Sequence, residues 1–212
     1  VLVAEDDAFF SHDGLDWNEI RASARANLSR GRVVRGGSTI TQQLAKNLFL
    51  GSARTLTRKL EEVFLAGRLE RSLTKRRIFE LYLNLIEWGD GIFGAEAAAR
   101  HYFGVAASDL SPRQAVLLAA VIINPRRFSV LDPQRRIERR VKLIAGRLRR
   151  RGDLSEVDYR AVLALPPLEP ALVPTAPEGT TIWPPSVVPD SPAPGASVPE
   201  SLPAPDTLEA PR

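Results

Sequence analysis

Residues 36–47 read GGSTITQQLAKN, and their spacing decides between helix and strand. Gly36 and Gly37 leave the chain free to turn. Thr39 followed by Gln42 has the spacing of a capping box, in which the hydroxyl and the side-chain amide each satisfy a backbone N–H at a helix start. Ile40, Leu44 and Leu48 then recur at every fourth residue as one apolar stripe, with positions 39, 42, 43 and 46 on a polar face opposite it. A strand would alternate instead. Such a helix N-terminus, with Lys46 further along the polar face, could hold an anionic oxygen or a sugar hydroxyl. A capped surface helix facing water has the same signature, and for this stretch alone that is the commoner outcome.

The same punctuation recurs on both sides. Asp16 and Glu19 have the spacing of a capping box for a helix with Ile20, Ala24 and Leu28 on one face, stopping near Gly31. Ser111, Pro112 and Gln114 open a mostly apolar helix through Ile123. Asp132 and Pro133 begin a basic helix with Ile137, Val141, Ile144 and Leu148 inward and arginines outward, ending before Gly152; a last short helix runs from Ser155 to Leu165. Between residues 54 and 70, Arg54, Arg58 and Glu62 align on one helical stripe, with Leu56, Leu60 and Val63 expected on the buried side. Alternating strand patterns are scarce and no internal repeat is evident, so the reading is all-α.

Charge divides the chain in two. Fourteen of the 17 prolines lie in residues 166–212, together with six acidic residues and one basic one, Arg212. That composition cannot bury enough apolar surface to offset the entropy of ordering, so residues 166–212 are expected to form a disordered Pro-rich tail and residues 1–165 the folded domain. The domain carries 28 basic against 19 acidic side chains, a net charge of +9 where the whole chain has +4. Its partner is therefore expected to be anionic: nucleic acid, an acidic membrane surface or a phosphorylated lipid. Cysteine is absent, which excludes a disulfide framework and a thiolate metal site. The longest apolar run, Ala115 to Ile123, is far short of the roughly 20 residues of a membrane span. Val1 in place of Met points to a missing N-terminal segment.

Residues 5–14, EDDAFFSHDG, place two adjacent carboxylates beside two aromatics and a histidine. A carboxylate next to Phe9 and Phe10 could have its pKa raised by desolvation, which suits proton transfer near neutral pH and makes Glu5 the candidate base. For this stretch alone, a carboxylate that caps a turn while the histidine satisfies a backbone carbonyl is the commoner outcome, because structural networks also cluster ionisable groups. The stripe Arg54–Arg58–Glu62 would clamp a pyrophosphate in a cleft, through bidentate guanidinium contacts. On a solvated helix it would be an ion-pair ladder, and spacing by itself favours the ladder.

Taken together, the segments resemble glycosyltransferase family 51, the peptidoglycan glycosyltransferases, in motif order and spacing over nearly all of residues 1–165. Glu5, Asp6, Phe9, His12 and Gly14 match the family's first motif, GGSTITQQLAKN the second, and Arg58, Lys59 and Glu62 the third. FELYLN at 79–84, with Gly89, Gly94 and AAARHYFG at 97–104, matches the fourth, and RQAVLLAAVIINPRRFS at 113–129 the fifth. GLDW after His12 and INPRRF near 128 look most like the monofunctional members. Ile122 and Ile123 replace the Leu-Pro often seen in the fifth motif.

The resemblance implies an all-α, lysozyme-like fold of two lobes with a cleft between them. It also implies inverting chemistry that polymerises lipid II into β-1,4-linked glycan with release of polyprenyl pyrophosphate. Glu5 and Glu62 would be catalytic. Asp6, Phe9, His12, Ser38, Thr39, Gln42, Gln43, Lys46, Asn47, Arg54, Arg58, Lys59 and Asn84 would bind substrate. No organic cofactor is implied; a divalent cation, Mg or Mn, could sit at Glu5 or Glu62. The implied partners are lipid II, the growing lipid-linked glycan, the bacterial membrane surface and cell-wall synthesis proteins, but not nucleic acid. The implied location is the extracytoplasmic face of the inner membrane, with the anchor absent from this chain. Two rival readings are a lysozyme-like hydrolase or lytic transglycosylase, and a non-catalytic basic module that binds nucleic acid.

Overall fold

The computed structural model describes residues 1–32, 36–50 and 55–164. The proposed tail, and Arg54, lie outside the described residues. Helix α1 is a single turn, Leu2–Glu5, followed by a 3-10 turn at Phe9–Ser11. Helix α2, Trp17–Ser29, is capped by Asp16, whose side chain accepts from the Glu19 N–H. Helix α3, Ile40–Phe49, has the full capping box of Thr39 and Gln42. Thr55 caps α4, Leu56–Ser72, and Thr74 caps α5, Lys75–Leu85. A small antiparallel hairpin, β1 (Glu87–Gly89) and β2 (Ile92–Phe93), then leads into α6, Ala95–Phe103. Helix α7, Pro112–Val121, has the capping box of Ser111 and Gln114. The basic helix α8, Arg135–Arg151, and α9, Glu156–Leu163, complete the described elements.

The caps at Asp16, Thr39 and Ser111 stand where side-chain chemistry puts them, because a short polar side chain satisfies its own helix start without help from afar. Ends that depend on the backbone differ slightly. Helix α7 stops at Val121 rather than Ile123, since Pro125 disfavours helical geometry at Asn124. Helix α8 begins at Arg135, with Gln134 as an N-cap that makes no side-chain bond. The hairpin at 87–93 is the one departure from an all-helical reading among the described residues. It closes at Gly94, whose φ of +87 and position, with a Cβ only 2.9 Å from the Asn84 carbonyl oxygen, admit no side chain.

One continuous apolar core joins Ile40 and Leu44 of α3, Ile78 and Tyr82 of α5, Val116 to Val121 of α7 and Ile137, Val141 and Ile144 of α8. Helices α3, α4 and α5 pack as one group and α7, α8 and α9 as another; α1 leans on α8. Two helices face the opposite way from their sequence reading. On α2, Ser23 is buried while Ala24 and Leu28 are exposed, because Ser23 Oγ donates to the Gly36 carbonyl and this side packs on the glycine stretch. On α4, Leu56 is 85% and Leu60 71% exposed, Val63 is half-buried, and Glu62 is only 3% exposed. The expected buried side of α4 is thus its outer side, because the α3 segment offers the hydroxyls of Ser38 and Thr41 to its charges, and Glu62 finds its cations, Arg58 and Lys59, on α4 itself.

Candidate active site

The short helix α1 is held by arginines of α8. Arg147 Nη1 donates to the Val3 carbonyl at 3.0 Å, Arg140 Nη2 to the Ala4 carbonyl at 3.2 Å, and Arg151 pairs with Asp7. Glu5, at the end of α1, accepts from Arg140 Nη2 on Oε1 and from Gln43 Nε2 on Oε2, the latter at 3.1 Å. Burial pushes the Glu5 carboxyl above the usual carboxylate range, opposed by the Arg140 charge and then by the Gln43 hydrogen bond. A group tuned this way can accept a proton near neutral pH.

The rest of the first motif is structural support. His12 Nε2 donates to both Asp6 oxygens, at 3.0 and 3.1 Å, and the Ile40 N–H donates to Asp6 Oδ2 at 3.0 Å, so Asp6 pins the N-terminus of α3. The Thr39 hydroxyl donates to the Gly14 carbonyl at 2.6 Å across a φ of +82. Phe9 is fully buried, with Lys75 Nζ 4.5 Å above its ring; Lys75 and the Thr41 hydroxyl both donate to Glu70. Phe9 and Gln42, both expected on the substrate, are buried. Phe9 fills the core, and Gln42, 2% exposed, is used by the cap.

Two clefts flank the Glu5–Gln43 contact and share Ile123. The first, about 940 Å³, is lined by Glu5, Asp6, Ser38, Thr39 and, from α8, Arg140 and Arg147 among others. The second, about 550 Å³, takes in Gln43, Lys46, Asn47, Arg58, Asn124 and Arg126. Of the sequence-predicted residues, Glu5, Asp6, Ser38 and Thr39 thus meet at the first cleft and Gln43, Lys46, Asn47 and Arg58 at the second. Glu62 lies in neither. It accepts from Arg58 and, at 2.6 Å, from Lys59, which also donates to Ser38 Oγ at 2.9 Å. Each of its oxygens thus faces one cation. Asn84 is exposed and donates to the Glu80 carbonyl on its own helix, away from both clefts.

The carboxylates expected to hold a divalent cation do not fit one. Glu5 is met by a guanidinium and an amide N–H, Glu62 by a guanidinium and an ammonium, and each cation would have to be displaced. Asp6, His12 and Asp16 bring ligand-type atoms within 4.8 Å of one another, but Asp6 and Asp16 already accept backbone N–H groups and His12 already donates to Asp6.

Arg140, expected among the outward arginines, and Tyr82, inside the fourth motif, carry no site role in the sequence reading. The Tyr82 hydroxyl, in the core, donates to Gln43 Oε1 at 3.0 Å. A signal for Arg140 was present: it and Arg147 are seven residues apart, beside Val141 and Leu148, on the edge of the apolar stripe rather than opposite it.

With that geometry in view, comparison with known proteins settles the class. The family model described as Transglycosylase matches residues 1–149, and the chain belongs to this family. The chain is 52% identical over 149 residues to the biosynthetic peptidoglycan transglycosylase of Methylobacillus flagellatus and 53% identical over 148 residues to that of Laribacter hongkongensis. Each match covers 70% of this chain and 65% of the relative, so the chain spans just under two thirds of these proteins. The relative of the same name from Alcanivorax borkumensis is 45% identical over 187 residues, 85% of this chain and 71% of that one.

Proposed function

We propose that this chain is the catalytic domain of a peptidoglycan glycosyltransferase that extends lipid-linked glycan, with Glu5 as its general base. The observation that carries the reading is one buried carboxylate, held by Arg140 and Gln43, that lines the first cleft while its partner Gln43 lines the second. Two substrates can then react across a single base. As the acceptor's 4-hydroxyl loses its proton to Glu5, its oxygen attacks the anomeric carbon of the growing chain. The polyprenyl pyrophosphate leaves from the opposite face with the electron pair, giving an inverted, β-1,4 bond. The cations of the second cleft, Lys46 and Arg58, suit that developing negative charge, since an anionic leaving group needs cations more than a proton. A lysozyme-like hydrolase needs no such cations.

The reading places the domain against the extracytoplasmic face of the bacterial inner membrane, where lipid II and other cell-wall synthesis proteins would meet it. Leu56, Leu60 and Phe64 on α4, with Leu48 and Phe49 on the neighbouring α3, are exposed apolar side chains suited to a bilayer surface. Among the described residues no helix is long and apolar enough to cross a membrane.

The test is polymerisation of lipid-linked disaccharide. Glu5→Gln keeps the shape and should lower turnover at least ~10²-fold while leaving binding of a non-reactive donor analogue intact. Because the ionised form acts, the rate should fall as pH drops through the raised Glu5 value, placing the acid limb above the ~4.3 of a free glutamate. Shortening of preformed glycan would favour the hydrolase, and duplex-DNA binding that survives Glu5→Gln the nucleic-acid module.

A further inference from the structure

Four side chains from four segments form one chain of contacts: Arg140 of α8 to Glu5 of α1, Gln43 of α3 to Glu5, and Tyr82 of α5 to Gln43. Within it each oxygen of Glu5 accepts one hydrogen bond, which leaves each a second lone pair for an incoming hydroxyl. Among the described residues, Arg140 is the positive charge that another element brings to Glu5, and Asp6, from the segment of Glu5 itself, is the other carboxylate about Glu5 and Tyr82. Asp6 is already occupied by His12 and the Ile40 N–H.

We propose that Arg140 and Tyr82 are positioning residues of the base, Arg140 by direct ion pairing with Glu5 and Tyr82 by holding the Gln43 amide in the orientation that presents N–H to the carboxylate. The proposal rests on the reading of Glu5 as the base. A side-chain amide has nearly the same shape when flipped, so shape cannot select its orientation. The buried Tyr82 hydroxyl can: as a donor it requires the amide oxygen, which turns the NH₂ toward Glu5. A flipped amide would set its oxygen against a carboxylate oxygen, an arrangement tolerable only when Glu5 is protonated and therefore inactive as a base. Burial, and then the Glu5 charge, raise the Tyr82 pKa, so the hydroxyl keeps its proton through the working pH range. Arg140 acts in the same direction more strongly, because removing a buried carboxylate's counter-charge leaves desolvation unopposed.

The experiment uses the full chain, labelled with ¹³C at glutamate carboxyls, in the parental form and as R140Q, R140K and Y82F; E5Q assigns the Glu5 resonance. The midpoint of Glu5 titration should rise by about 1–3 pH in R140Q, the usual reach of a neighbouring opposite charge, rise less in Y82F, and return toward the parental value in R140K. The acid limb of polymerisation rate against pH should move up in the same order, with activity recovered at higher pH. Thermal unfolding checks each variant, and if R140Q does not fold, Y82F carries the comparison. A midpoint that stays at the parental value in folded R140Q or Y82F, with a pH-independent fall in rate, overturns the proposal. The titration needs no turnover, so a parental chain that fails to polymerise would count against the catalytic reading, while the midpoints still decide the positioning one.

Discussion

Helices α8 and α4 are both 17 residues long and both look amphipathic in sequence, yet they bury opposite kinds of side chain. Helix α8 turns Ile137, Val141 and Ile144 into the core between α7 and α9 and leaves most of its arginines outside. Helix α4 turns Glu62 and Ala66 inward and leaves Leu56, Leu60 and Phe64 outside. The neighbours explain the difference. An apolar stripe is stabilised when apolar surfaces lie on both sides of it, as they do for α8. On α4 the inward charges find one another and Ser38, while no described residue covers Leu56 and Leu60. Amphipathicity therefore says that a helix has two faces without saying which is buried.

The sharpest way to break this contrast is to cut equivalent apolar groups on the two helices. Ile137→Ala on α8 should cost about 2–5 kcal/mol in chemical denaturation, the range for a fully buried aliphatic side chain. An Ile137→Ala variant as stable as its parent would mean that α8 is not a core helix. Next comes the inward charge of α4. Glu62→Gln leaves Arg58 and Lys59 without their counter-charge, and the loss should be ~1–2 kcal/mol, below the ~3–5 of a fully buried pair because Lys59 is 44% exposed on its side chain. It should also raise KM for the lipid-linked substrate, since Arg58 lines the second cleft; unchanged stability and KM together would show Glu62 to be a spectator. The smallest stability effect belongs to the outer face. Leu60→Ser with Phe64→Ser should shift unfolding by no more than about 0.5 kcal/mol while weakening sedimentation with vesicles of acidic lipid. Undiminished vesicle binding would move the membrane contact to another surface.

The parts of the site legible in the sequence are those whose partners lie close in the chain. Thr39 and Gln42 form their capping box three residues apart, and Glu5 stands beside aromatics that announce a desolvated carboxylate. Arg140 was hidden because it sits 135 residues from the carboxylate it serves and reads locally as one more outward arginine. Tyr82 was hidden because it reaches Glu5 only through Gln43. Of the solvated ion-pair ladder expected at Arg54, Arg58 and Glu62, the described part is a part-buried cluster that Lys59 and Ser38 join around a buried Glu62.

The sequence alone determined where the capped helices α2, α3, α7 and α9 start, because capping is a short-range property of adjacent side chains, and its motifs and aromatic neighbours marked Glu5 as the candidate base. Tertiary structure alone decided which face of α4 is buried and what charge stands against Glu5. Burial and counter-charge are set by surfaces brought together from opposite ends of the chain, and no local pattern in α1, α4 or α8 contains the identity of its neighbour.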